Sequence, residues 1–157
     1  MRETYVVLEN IRSVHNVGSV FRTADAAGVT KLYLVGFTPT PLDRFGRKRT
    51  DLSKVSLGAE DAVSWEYAEG ITNLIQKFKR DGVRLVVVEQ DSRAIPHSHF
   101  HTDDNVAYIF GSETDGVSKE ARDAADAIIE IPMQGTKESL NVSVTAGIVL
   151  FNTQKKF

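Results

Sequence analysis

The sequence predicts an α/β domain with a mostly parallel sheet covered by helices on both faces. Three observations carry this. Short apolar runs recur along the chain, segments with helical apolar spacing separate them, and glycines stand where those helices should end. Residues 4–8 form the first β-rich run and residues 31–35 the second. Between them, residues 16–27 read as a helix, with Val17, Val20, Phe21 and Ala24 on one stripe and Gly28 as its C-cap. Residues 37–50 are the one long irregular stretch, entered through Pro39 and Pro41. A second helix is expected over 67–81, where Ile71, Leu74, Ile75 and Phe78 share a side and Gly82 closes the segment. Strands follow at 84–89, 106–110 and 128–131, with a helix over 118–125 that Ser118 caps. Residues 141–151 stay open between strand and helix. Val142, Val144, Ile148 and Val149 favour a strand, whereas Leu140, Val144, Ile148 and Phe151 fit one helical face that Lys155 and Lys156 would complete.

Length and charge bound the function. A chain of 157 residues suits one compact domain over 1–157. No apolar run approaches the roughly 18 residues of a membrane span, and the N-terminus lacks a basic-then-apolar export signal. A soluble, cytoplasmic protein is therefore expected. The absence of cysteine excludes disulfides, thiolate zinc sites and cysteine nucleophiles. With 19 Lys+Arg against 21 Asp+Glu, the formal charge of −2 excludes a broad basic surface but not a local one. His97, His99 and His101 alternate, yet only Asp103 and Asp104 stand nearby, so no metal centre is expected.

Three segments hold more polar and glycine residues than a core needs. The first carries Asn10, Arg12, His15, Asn16, Gly18, Arg22 and Asp25. On a helical wheel Gly18, Arg22 and Asp25 lie opposite the apolar stripe, which aims Arg22 at solvent or a partner. The plain reading is a solvated arginine on a helix capped by Asn16. The second segment, with Gly111, Ser112, Glu113, Asp115 and Gly116, joins a strand to a helix, where open α/β sheets bind ligands. It approaches a P-loop, but Val117 occupies the lysine position and two acids oppose a triphosphate. No GxGxxG occurs. The third passes from Ile131, Pro132 and Met133 through Gly135 to Ser139, Asn141 and Ser143; alone, it reads as a strand-to-helix turn capped by Ser139 or Asn141. Separately, Arg44, Arg47, Lys48 and Arg49 put four cations into six positions of the irregular stretch.

Together and in this order, the three segments resemble the signature motifs of the SpoU (TrmH-type) RNA 2′-O-ribose methyltransferases of the SPOUT superfamily. The likeness runs from residues 10–28 through 107–116 to 128–150. It implies a C-terminal trefoil (α/β) knot and makes the last segment a helix. It also implies S-adenosylmethionine as methyl donor, held by Val88, Glu89, Gly111, Glu113, Ile131, Met133, Ser139 and Leu140. Gly111 would let the donor approach the backbone closely, and the apolar residues would sandwich its ring. Arg22 becomes the central catalytic residue, with Asn16, Glu113, Asn141 and Ser143 around it. A guanidinium keeps its proton far above neutral pH, so a phosphate clamp is the physically sound role for Arg22. The resemblance further implies a homodimer in which Ala146 and Gly147 allow close helix approach. RNA is the expected partner, through Arg12, Arg44, Arg47, Lys48 and Arg49. At this chain size the resemblance implies tRNA over rRNA. The alternatives are a non-catalytic RNA-binding knot protein and an α/β nucleotide binder, the latter opposed by the missing P-loop lysine.

Overall fold

In the computed structural model, residues 1–153 are described. The elements run β1 (Thr4–Glu9), α1 (Val14–Ala27), β2 (Lys31–Val35), α2 (Thr50–Ser56), α3 (Ala59–Ala62) and β3 (Ser64–Ala68). They continue with α4 (Ile71–Arg80), β4 (Arg84–Val88), β5 (Ile95–Pro96), β6 (Val106–Gly111), α5 (Lys119–Ala124), β7 (Ala127–Glu130) and α6 (Val142–Asn152). All seven strands are parallel, in the order β3-β2-β1-β6-β4-β7-β5.

Side chains alternate across each strand, so the sheet buries two separate sets. On one face Val6, Leu8, Leu32, Leu34, Val86 and Tyr108 meet Val17, Val20 and Phe21 of α1 and Val142, Ala146 and Val149 of α6. On the other, Val7, Val35, Leu85, Val87 and Ile109 meet Ile71, Leu74, Ile75 and Phe78 of α4 and Ala121 of α5. Covering on both faces explains why the central strands read as unbroken apolar runs. Parallel pairing also brings the C-terminal ends of β1, β2, β6 and β4 to one edge. Thr38 fastens the long 37–49 connection to that edge: its hydroxyl donates to the Leu8 and Val35 carbonyls and accepts from the Ile11 amide. The segment before β1 is also tied to the end of α6, since the Arg2 guanidinium donates to the carbonyls of Thr102 (2.7 Å) and Thr153 (2.9 Å).

Several expectations are corrected. Helix α1 begins at Val14 and its cap is Ser13, whose hydroxyl accepts from the Asn16 amide, so Asn16 is not the cap. Gly18 is buried rather than outward. Helix α2 crosses α1 there, and a Cβ at Gly18 would stand 2.9 Å from Val55 Cβ and 3.0 Å from the Leu52 carbonyl. Tyr67 lies on β3, an edge strand, and not on the second helix, which starts at Ile71. His97 and His99 sit on a short 3-10 turn, His97–His99, so they do not share a strand face. The last segment is helical, but α6 buries Val142, Ala146, Val149 and Leu150, while Val144 is 50% and Phe151 49% exposed. The apolar face formed by Leu140, Val144, Ile148 and Phe151 is thus the outer one. Ala146 packs inside its own chain and is unavailable to a partner. Lys155 and Lys156 lie outside the described residues.

The crowding at Gly18 yields a test. Helix propensity favours a larger residue by up to about 1 kcal/mol. Forced overpacking costs about 1–3 kcal/mol, so the clash wins. Gly18→Val should lower the denaturant midpoint accordingly; an unchanged midpoint would show that α2 yields freely.

Candidate active site

At the edge where the central strands end lies a cavity of about 400 Å³. Val88 and Glu89 at the end of β4 and Gly111 at the end of β6 form its floor. Glu113 and the 112–117 loop form one wall; Ile131, Met133, Ser139 and Leu140, from the segment between β7 and α6, form the other. The structure therefore gathers all eight residues expected at the donor onto one cavity. The Gln90 side-chain amide donates to the Glu138 carbonyl, linking the floor to the second wall.

Gly111, which lines the cavity, is also required by the loop itself. A Cβ there would collide with the Gly116 backbone and the Val117 amide, so the glycine is needed by the loop folding back on itself. The Gly116 amide donates to the Ser112 carbonyl at 2.8 Å, and Gly116 takes a positive φ of 66°. Two carboxylates secure the far end of this loop. Glu89 accepts from the Val117 amide at 2.8 Å, and the buried Glu9 accepts from the Ser118 amide at 2.7 Å. The amides that would cradle a phosphate are thus already bonded to anions.

The lining carries five carboxylates, Glu89, Glu113, Asp115, Glu130 and Glu138, and one guanidinium, Arg122. Such a cavity favours a ligand with positive charge. Arg122 is held by Asp91, whose side chain is only 6% exposed and also receives Arg93. Hydrogen bonds from the Arg93 guanidinium and amide hold the Asp91 carboxyl well below the usual carboxylate range.

The expected catalytic residues divide into two groups. Asn141 caps α6, its Oδ1 accepting from the Ser143 amide (2.9 Å) and hydroxyl (2.6 Å), and its Nδ2 donates to Asn16 Oδ1 at 3.2 Å. Glu113 accepts from the Val142 amide at 3.4 Å. So Asn16, Glu113, Asn141 and Ser143 meet at the start of α6. Arg22 does not join them. Six residues along a helix mean roughly 9 Å of rise and about 120° of rotation, so Arg22 faces away from Asn16. It is exposed and makes no hydrogen bond or ion pair among the described residues.

The expected RNA contacts are also mixed. Arg12 reaches Asp115 at 3.9 Å at the cavity mouth. Arg47 pairs with Asp43 (3.1 Å), Lys48 with Glu60 (3.3 Å) and Asp61 (3.4 Å), and Arg49 with Asp51 (2.9 Å). Arg44 alone of that run has no ion pair among the described residues. Sequence reading missed Glu9, Arg122 and Thr145, whereas Gln90 falls in the 88–90 loop that the resemblance implies for the donor. Glu9, an acid ending an apolar strand, was the one that left a trace.

Fold and site define an α/β domain with an acidic cavity of small-molecule size at the C-terminal edge of a parallel sheet. The SpoU rRNA Methylase family matches residues 3–151, and the chain belongs to that family. It is 31% identical over 151 residues to the 23S rRNA (guanosine-2′-O-)-methyltransferase RlmB of Neisseria meningitidis serogroup B, covering 96% of this chain and 58% of that protein. The AdoMet-bound rRNA methyltransferase of Sinorhizobium meliloti superimposes with a TM-score of 0.84 at 29% identity, over 96% of this chain and 55% of that one. The A. aeolicus TrmH/SpoU tRNA modifying enzyme does so with a TM-score of 0.83 at 27% identity, over 97% and 74%. The chain spans little more than half the length of the curated relatives it matches.

Asp91 gives a pH test of the cavity wall. A depressed carboxyl contributes stability above its unfolded value of roughly 4, and this is lost as pH falls toward its folded value. Melting temperature should therefore drop more steeply below about pH 4 in the wild type than in Asp91→Asn. Parallel curves would detach Asp91 from the fold's acid sensitivity.

Proposed function

We propose that this protein is an S-adenosylmethionine-dependent RNA 2′-O-ribose methyltransferase acting in the cytoplasm. The observation that carries the proposal is the acidic cavity joined to the Asn16–Asn141–Ser143 cluster. S-adenosylmethionine fits its chemistry: carboxylates suit a sulfonium, Ile131, Met133 and Leu140 suit a purine, and about 400 Å³ is within the range of small-molecule sites. When bound, it would supply an electrophilic methyl group to the ribose oxygen, its sulfur keeping the electron pair of the broken carbon–sulfur bond.

The chain's own residues must then orient a poor nucleophile and handle its proton. Glu113 accepts a hydrogen bond from the ribose hydroxyl and takes its proton as the oxygen reacts, and Asn141, fixed by Ser143 and Asn16, sets its direction. Arg22 holds the adjacent phosphate and offsets developing negative charge. Because Arg22 faces away from Asn16, it would complete the cluster of a second copy in a homodimer. The exposed Val144 and Phe151 on α6 supply an apolar surface for such pairing. The C-terminal threading implied by the resemblance is supported by the way the 131–140 segment crosses Gln90 before α6 packs on α1.

For the RNA, we favour rRNA. Chain size had suggested tRNA, but the names of relatives at 31% and 34% identity point to a guanosine of 23S rRNA, and a tRNA enzyme stands among the structural neighbours.

Calorimetry should show S-adenosylmethionine binding to the wild type and to Arg22→Ala alike. Methyl transfer to rRNA should fall at least about 100-fold in Arg22→Ala. Near-normal turnover in that variant would overturn the clamp, and binding of RNA without the donor would mark a non-catalytic protein.

A further inference from the structure

We propose that Phe45 is a stacking platform for an unpaired base of the RNA, with Arg44 and Arg47 flanking it as phosphate contacts. The inference rests on the reading of the protein as an RNA enzyme and adds a contact that selects for single-stranded substrate. The Phe45 ring is 65% exposed at the tip of the 37–49 connection. The Arg44 guanidinium stands 4.8 Å and that of Arg47 4.9 Å from the ring centroid. An isolated exposed phenylalanine is unremarkable, but one clasped by two cations presents a π face and a positive field together.

The tip is preorganised. Asp43 Oδ1 accepts from the amides of Phe45 (2.8 Å) and Arg47 (2.9 Å), and the Gly46 amide donates to the Asp43 carbonyl (2.9 Å). The Asp43 amide in turn donates to the Arg47 carbonyl at 2.7 Å, and Leu42 and Lys48 form an antiparallel bridge. Gly46 allows this reversal with a φ of 77°. An ordered tip loses little further entropy when a base docks.

Charge selects the occupant. An apolar protein pocket closing over the ring would have to strip water from both guanidiniums, whereas a nucleotide brings a flat base for the ring and a phosphate for the cations. Bases within a duplex offer no free π face, which confines the platform to unpaired nucleotides. Its position is suitable, because Thr38 roots the same connection on the sheet edge that carries the cavity.

The test compares wild type, Phe45→Leu and Phe45→Trp for binding to an unstructured RNA oligonucleotide and to a fully paired RNA duplex. Base–aromatic stacking predicts a loss on the order of tenfold for Phe45→Leu on the single strand. Phe45→Trp should retain wild-type affinity, duplex binding should change by less than about twofold, and donor binding should be unaltered. Unchanged single-strand affinity in Phe45→Leu, or an equal loss on both probes, would overturn the platform. If wild type methylates RNA and Phe45→Leu shares its KM, the platform alone falls. If wild type binds neither RNA, the RNA-enzyme reading falls with it.

Discussion

Two carboxylates from the ends of the strands that flank β6 determine how the site is built. Glu9 and Glu89 take the amides of Ser118 and Val117, and so pin the loop that follows β6 across the sheet edge. Amides at such a turn ordinarily wait for an anionic ligand. Here the protein supplies the anions itself, and the remaining acids face the cavity. A position that serves phosphate in many α/β sheets is thereby left with a negatively charged lining. Gly111 and Gly116 follow from the same constraint, since the pinned loop passes too close for a side chain at the first and needs a left-handed turn at the second.

The basic connection between β2 and α2 shows a similar economy. Lys48 stabilises Glu60, whose side chain is only 2% exposed, and also meets Asp61. Arg47 and Arg49 lean on Asp43 and Asp51. A run of cations that looks like a mobile binding arm is largely spent holding its own shape. Its contribution to RNA binding then comes from geometry at the tip more than from summed charge.

Much of the fold was legible because central parallel strands leave unbroken apolar runs and helix α1 a clean stripe. Strand β3 was missed because an edge strand buries only Trp65 and Ala68, and even these partly, so no run marks it. Helix α6 was undecidable locally. It is apolar nearly all round and β-branched, and the feature that starts it, Asn141 bonded to Ser143, is one polar residue among several. In the site, the motif residues could be named, and the helical wheel already aimed Arg22 at solvent or a partner. Its turn away from Asn16 follows from their six-residue spacing on α1, although Ser13 rather than Asn16 caps that helix. Gly18 was misplaced because a wheel shows only the helix's own core, not a second helix lying across its back.

The tie between Arg2 and Thr153 has a consequence for folding. Strand β1 is paired on one side with residues about a hundred positions later, and Arg2 reaches the carbonyl of Thr153. The second wall of the cavity, from Ile131 to Leu140, also lies far along the chain from β1. Contacts within β1, α1 and β2 are local and can form early, whereas the cavity needs the slow closure of these long loops. A chain cleaved between β2 and β6 would carry exposed sheet edges and no cavity, making it a target for further proteolysis.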